Sequence, residues 1–207
     1  DLFHQEAAIK DFRDLDGKLV MAAPGAAYIE ILERKFDIEI QITPLDYGMA
    51  RFIADKSFIQ QCFITNEPYY VRREGANPGT LLIADSGFDP YRVWYTTQEF
   101  ANKNPEIVEA FTRASIRGWH DYLFGNPEAA NALIAERNPQ MDESFMGYAR
   151  QAMIDNELVH GEIEIREGIG KVTRERLSQQ IEQLLEIGMI DQKVDVDAIF
   201  RPELLPD

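Results

Sequence analysis

Two short stretches carry the backbone and side chains suited to holding a small ligand. Pro24-Gly25-Ala26-Ala27 stands where an apolar run of strand length, residues 18–23, gives way to helical spacing. Small residues let a ligand approach the backbone, and open N–H groups at a helix start attract carboxylate, sulfonate or phosphate oxygens. An ordinary strand-to-helix turn has the same composition, and no full GxGxxG or phosphate-loop pattern accompanies it. Asn66-Glu67-Pro68-Tyr69-Tyr70 is the second stretch. A strand end feeding a helix places Asn66 and Glu67 at the carboxyl edge of a sheet, where open α/β sheets bind ligands. Glu67 can accept hydrogen bonds from an amine or aminopyrimidine, while Tyr69 or Tyr70 stacks on a ring. The plainer reading is a helix cap with two packing aromatics.

Other reactive residue types are scattered. Tyr91, Trp94 and Tyr95 could line a ring-binding cleft, but on a strand Trp94 and Tyr95 point to opposite faces. His4, His120 and His160 lack any His or Cys at metal-ligand spacing, so surface or capping roles are expected. Cys62, in an apolar run, reads as a buried structural thiol. Glu162, Glu164 and Glu167 read as a solvated face. No Gly-x-Ser-x-Gly elbow is present, and no nucleophile has a base at a recognisable spacing. Nothing here calls for catalysis, a metal or a cofactor.

Composition narrows the class. In 207 residues, 21 basic side chains face 36 acidic ones, giving a formal charge of −15. That balance disfavours a nucleic-acid partner, because phosphate affinity rests on clustered Lys and Arg. The single cysteine excludes an intramolecular disulfide and any multi-cysteine zinc site. No apolar run approaches the roughly 20 residues of a membrane span. The chain opens on Asp1, not Met, without a visible secretory signal, which reads as a processed chain or a fragment.

The elements that must position these residues alternate in the first half. Strands are expected at 18–23, 38–43, 61–65, 80–83 and 92–96, with helices at 26–35, at 48–54 and after Asn66. The spacing of Tyr28, Ile31, Leu32 and Phe36 marks one face of the first helix. Such strand–helix–strand units predict an α/β sheet with some parallel pairing. The second half reads as helical. Asn104-Pro105-Glu106 starts a helix burying Ile107, Phe111, Ala114 and Tyr122, stopped at Gly125. Asn126-Pro127-Glu128 repeats the start signal. Asp142 caps a helix with Phe145, Ala149, Ala152 and Met153 on one face, and Thr173 caps another carrying Leu177, Ile181, Leu184 and Leu185 up to Gly188. A short, partly helical tail covers 194–206.

Several stretches, in this order, resemble the NMT1/THI5-like solute-binding proteins of ABC importers. Asp14-Leu15-Asp16-Gly17-Lys18 is similar to the group's "DLxGK" opening of its second lobe, and Asn66-Glu67-Pro68 to its strand end. Gly87-Phe88-Asp89-Pro90-Tyr91, the helix opening Asn104-Pro105-Glu106, and residues 114–119, 170–176 and 194–200 resemble later parts of the pyrimidine- and riboflavin-type branch. The resemblance implies a type II periplasmic-binding-protein fold, with one α/β lobe at 1–95 and a helical region at 96–207 belonging to an incomplete first lobe. It implies noncovalent binding of a small nutrient, thiamine-pyrimidine-like, riboflavin-like or sulfonate-type, and delivery to a membrane permease. Location is then periplasmic or extracellular and membrane-associated. Pro24, Gly25, Ala26 and Ala27 would take a polar or anionic group, Asn66 and Glu67 would hydrogen-bond, and Tyr69 would stack. Family members carry roughly one hundred further residues before the "DLxGK" segment. Their absence here predicts weak binding by this chain alone, and a homodimer formed through the uncovered face. Two alternatives share the architecture: a THI5-like pyrimidine synthase, against which the lone cysteine counts, and the effector domain of a transcriptional regulator.

Overall fold

The computed structural model describes residues 1–5, 9–90, 92–161 and 168–205. The chain forms two compact units, residues 1–90 with 179–193, and residues 91–178 with 194–207.

The first unit is built on a five-stranded sheet. Its strands are β1 (Leu2–His4), β2 (Leu19–Ala22), β3 (Gln41–Pro44), β4 (Ile59–Gln61) and β5 (Gly79–Leu81). They lie in the order β3-β2-β4-β1-β5, with β2 parallel to β3 and β4, and β1 antiparallel to β4 and β5. The helices are α1 (Ala27–Phe36), α2 (Ala50–Ala54) and α3 (Glu67–Arg73). Side chains of β2 alternate between two cores, as the pleat requires. Val20 and Ala22 join Ile29 and Leu32 of α1 on one face, while Met21 joins Phe52 of α2 and Val71 of α3 on the other. Helices therefore cover both faces of the parallel strands, the arrangement of a doubly wound sheet. Leu184 and Ile187 add to the α1 side, and the Gln183 amide donates to the Gly87 carbonyl at 2.9 Å.

The mixed α/β class and the parallel pairing match expectation, while several boundaries move. The strand expected at 61–65 lies two residues earlier, so Cys62 opens a loop. That at 80–83 becomes Gly79–Leu81, and Ile83 enters a 3-10 turn, Ile83–Ser86. Residues 92–96 form no strand; Trp94 and Tyr95 are both exposed, and Trp94 packs edge-on against Phe111 with ring centres 5.5 Å apart. β1 has no counterpart among the expected strands. It places His4 inside the sheet, only 7% exposed, against the expectation of a surface or capping side chain. Its register partner is Gly79, where a Cβ atom would stand 2.7 Å from the imidazole ring. Glycine is required there by close approach.

The second unit is helical: α4 (Gln98–Lys103), α5 (Pro105–Phe124), α6 (Glu128–Arg137), α7 (Glu143–Asp155), the opening of α8 (Arg174–Glu186), and α9 (Val196–Ile199). The unit boundary falls within α8, between Ser178 and Gln179. Asp142 caps α7, its carboxylate accepting the Phe145 N–H at 2.7 Å, and Phe145, Ala149 and Ala152 are buried as the spacing indicates. The Thr173 hydroxyl accepts the Arg176 N–H at the start of α8. Arg150 of α7 donates to the Tyr122 and Leu123 carbonyls, satisfying the end of α5 where cations are favoured. Asn104 departs from its expected role: its side chain donates back to the Phe100 carbonyl and makes no cap bond to α5. Nor are Ile107, Phe111 and Ala114 buried; Leu123 is the buried residue of that helix.

A candidate ligand site at the carboxyl edge of the sheet

The carboxyl ends of β2 and β4 are neighbours, and the chain leaves them toward opposite faces of the sheet. After β2 it turns to α1 on one side, and after β4 to α3 on the other. In doubly wound sheets a divergence of this kind is the crevice position at which ligands bind. Both candidate stretches lie at that position.

The β2–α1 connection is a tight turn. The Ala26 N–H donates to the Ala23 carbonyl at 3.2 Å, with Pro24 first and Gly25 second at the centre. Gly25 has φ +72°, which a type II turn demands at that position and which L side chains adopt only under strain. Ala26 precedes α1 and offers no capping side chain. The Ile29 N–H donates to the Ala26 carbonyl at 3.0 Å, so of the first-turn donors only those of Ala27 and Tyr28 are left for an oxygen-bearing ligand.

The β4–α3 connection is held from several sides. The Cys62 N–H donates to the Asp1 carbonyl at 2.8 Å, and the Ile64 N–H to the Asp1 carboxylate at 3.2 Å. Glu67 turns one carboxylate oxygen onto the Phe63 N–H at 2.7 Å, so part of its accepting capacity serves its own loop. Asn66 precedes α3 without a side-chain cap bond. Pro68 follows within the first turn and is buried, while Asn66, Glu67 and Tyr69 are half-buried. The Tyr69 ring meets Tyr70 edge-on at 5.1 Å and the Arg73 guanidinium at 5.6 Å.

One residue joins the two connections, and it is absent from the sequence expectations. Gln61, last in β4, accepts the Ala23 N–H at 3.0 Å and the Tyr28 hydroxyl at 2.8 Å through its side-chain carbonyl. Burial pushes the Tyr28 hydroxyl well above the ordinary tyrosine range, so it stays a neutral donor. The sequence does not single it out, because Gln60 beside it is equally polar.

Elsewhere, a groove of about 410 Å³ is lined by Met49, Ile53, Tyr70, Arg73 and Glu74, between α2 and α3. Cys62 is buried as expected, and burial pushes its thiol up to about 12. His120 is exposed, and His160 is buried with its ring nitrogens beside the Gly161 and Ile154 carbonyls. Among the described residues no group of three or more His, Cys, Asp or Glu could hold a metal ion, and no helix is long and apolar enough to cross a membrane. Tyr91, Glu162, Glu164 and Glu167 lie outside the described residues.

A doubly wound α/β unit is the structural class. Residues 2–130, more than half of the chain, match the family model described as NMT1/THI5 like, and the chain belongs to that family. It is also similar to the riboflavin-binding protein RibY of Chloroflexus aurantiacus, 26% identical over 172 residues, 81% of this chain and 49% of that protein. The chain spans about half the length of the curated relative it matches.

Proposed function

We propose that this chain is part of a solute-binding protein of the type II periplasmic class, serving an ABC importer. Its first unit forms one α/β lobe, and its second unit belongs with the opposite lobe. The observation that supports the reading is the parallel pairing of β2 with β4, which sets the two connections side by side, with the Gln61 side chain bonded to the first of them. Pro24, Gly25, Ala26 and Ala27 bind a polar or anionic part of the ligand, Asn66 and Glu67 hydrogen-bond it, and Tyr69 stacks on its ring. The name of the similar protein favours a flavin such as riboflavin within the wider class of heteroaromatic nutrients. Binding is noncovalent, and the opposing wall of the cleft comes from the remainder of a protein of the relative's length. Closure then presents both lobes to a membrane permease outside the cytoplasm, a population shift driven by tighter binding to the closed state.

Family and relative point to binding and away from catalysis. Cys62 supports this, because a buried thiol held protonated is a poor nucleophile. Thermal-shift screening of the complete protein against riboflavin, thiamine precursors, sulfonates and nitrate tests the reading. A rise in melting temperature with riboflavin is expected. A rise with an unrelated solute class alone would refute the ligand assignment.

A further inference from the structure

We infer that Gln61 works on both sides of the crevice: its carbonyl latches the β2–α1 loop, and its amide N–H groups donate to an acceptor on the ligand. This rests on the reading of the crevice as the binding site, and it adds to that site a residue with a defined polarity.

The orientation of the carboxamide follows from its partners. The Ala23 N–H can only donate, so the atom 3.0 Å away must be the carbonyl oxygen and not the amide nitrogen. The same oxygen takes the Tyr28 hydroxyl at 2.8 Å. With both donors on the oxygen, the planar amide holds its nitrogen on the opposite branch. That nitrogen donates to no protein group among the described residues, and Gln61 is only half-buried at the strand end. The nitrogen is thereby left as a fixed donor at the carboxyl end of β4, beside the connection that the oxygen holds. It complements a carbonyl oxygen or a ring nitrogen with a lone pair, both of which riboflavin carries on its pyrimidine ring. A ligand group that can only donate would face two N–H groups and be rejected.

Two substitutions separate the two roles. Gln61→Glu keeps an oxygen for Ala23 and Tyr28 but has no N–H to offer; Gln61→Leu has neither. The complete protein and both variants are compared by riboflavin titration, followed through flavin fluorescence, and by amide hydrogen exchange of Ala23 without ligand. Ala23 exchange is expected to stay slow in Gln61→Glu and to speed up about tenfold or more in Gln61→Leu. Riboflavin affinity is expected to fall about tenfold or more in both variants. Full affinity in Gln61→Glu would overturn the donor role, and unchanged Ala23 exchange in Gln61→Leu would overturn the latch. If the unmodified protein ignores riboflavin yet Gln61→Leu frees Ala23, the latch stands, while the donor role toward riboflavin is overturned along with the flavin reading.

Discussion

The thiol of Cys62 lies 2% exposed among Met21, Phe52, Phe58 and Val71, and loss of hydration lifts its pKa from 9.0 to about 12. Below pH 9 both folded and unfolded chains hold the proton. Between about 9 and 12 only the unfolded chain releases it, so the stability Cys62 contributes drains away as pH rises through that window. Urea midpoints measured at about pH 8 and about pH 10.5 are expected to fall further for the wild type than for Cys62→Ala. Equal falls would contradict the burial account. Gly25 carries a different kind of constraint. Open space surrounds its missing Cβ, so only the backbone angle restricts substitution. Gly25→Val is expected to cost about 1–2 kcal/mol, measured by urea unfolding. Its turn is legible in the sequence because Pro followed by Gly encodes that angle directly. Gln61 is not, because pairing across strands decides which polar side chain spans two loops.

At the scale of elements, periodicity succeeds where packing partners lie close in sequence. The faces of α1 and α7 follow from Ile31, Leu32, Phe145 and Ala149, all buried as spaced, with Tyr28 and Phe36 half-buried beside them. Three-residue strands defeat the same method. β1 is too short to show alternation, and only its pairing with β4 and β5 defines it. Val93, Trp94 and Tyr95 mislead in the opposite sense: they favour strands by type, yet residues 92–97 have no ladder to join. Two substitutions test how the elements are held. Phe52, fully buried in α2, anchors that short helix against β2 and α3. Phe52→Ala is expected to cost about 3–5 kcal/mol in denaturant unfolding, through lost contacts and an unfilled cavity. Asp142→Ala, removing the cap of α7, is expected to cost about 0.5–2 kcal/mol. A loss in Asp142→Ala as large as that in Phe52→Ala would mean that packing of α7 depends on its cap.

For the molecule as a whole, the amino-acid sequence suffices to reach the family, because short motifs in a fixed order are specific together where no single one is. It does not supply the geometry of the crevice. That depends on β2 and β4 being neighbours, although about 40 residues of chain separate them in sequence. Charge and surface also act at this scale. Ile107, Phe111 and Leu133 are about half exposed on a protein of net charge −15. Such apolar surface favours self-association of this chain when studied alone. Sedimentation is expected to show a dimer that the double substitution Ile107→Asp and Leu133→Asp returns to monomer; a monomer at all concentrations would contradict it. The central claim is that the crevice binds a heteroaromatic solute, and calorimetric titration of riboflavin into the complete protein tests it most directly. The account predicts saturable one-to-one binding, weakened about tenfold or more by Asn66→Ala or Gln61→Glu. Saturable binding that ignores both substitutions, or no binding of any flavin or pyrimidine, would contradict it.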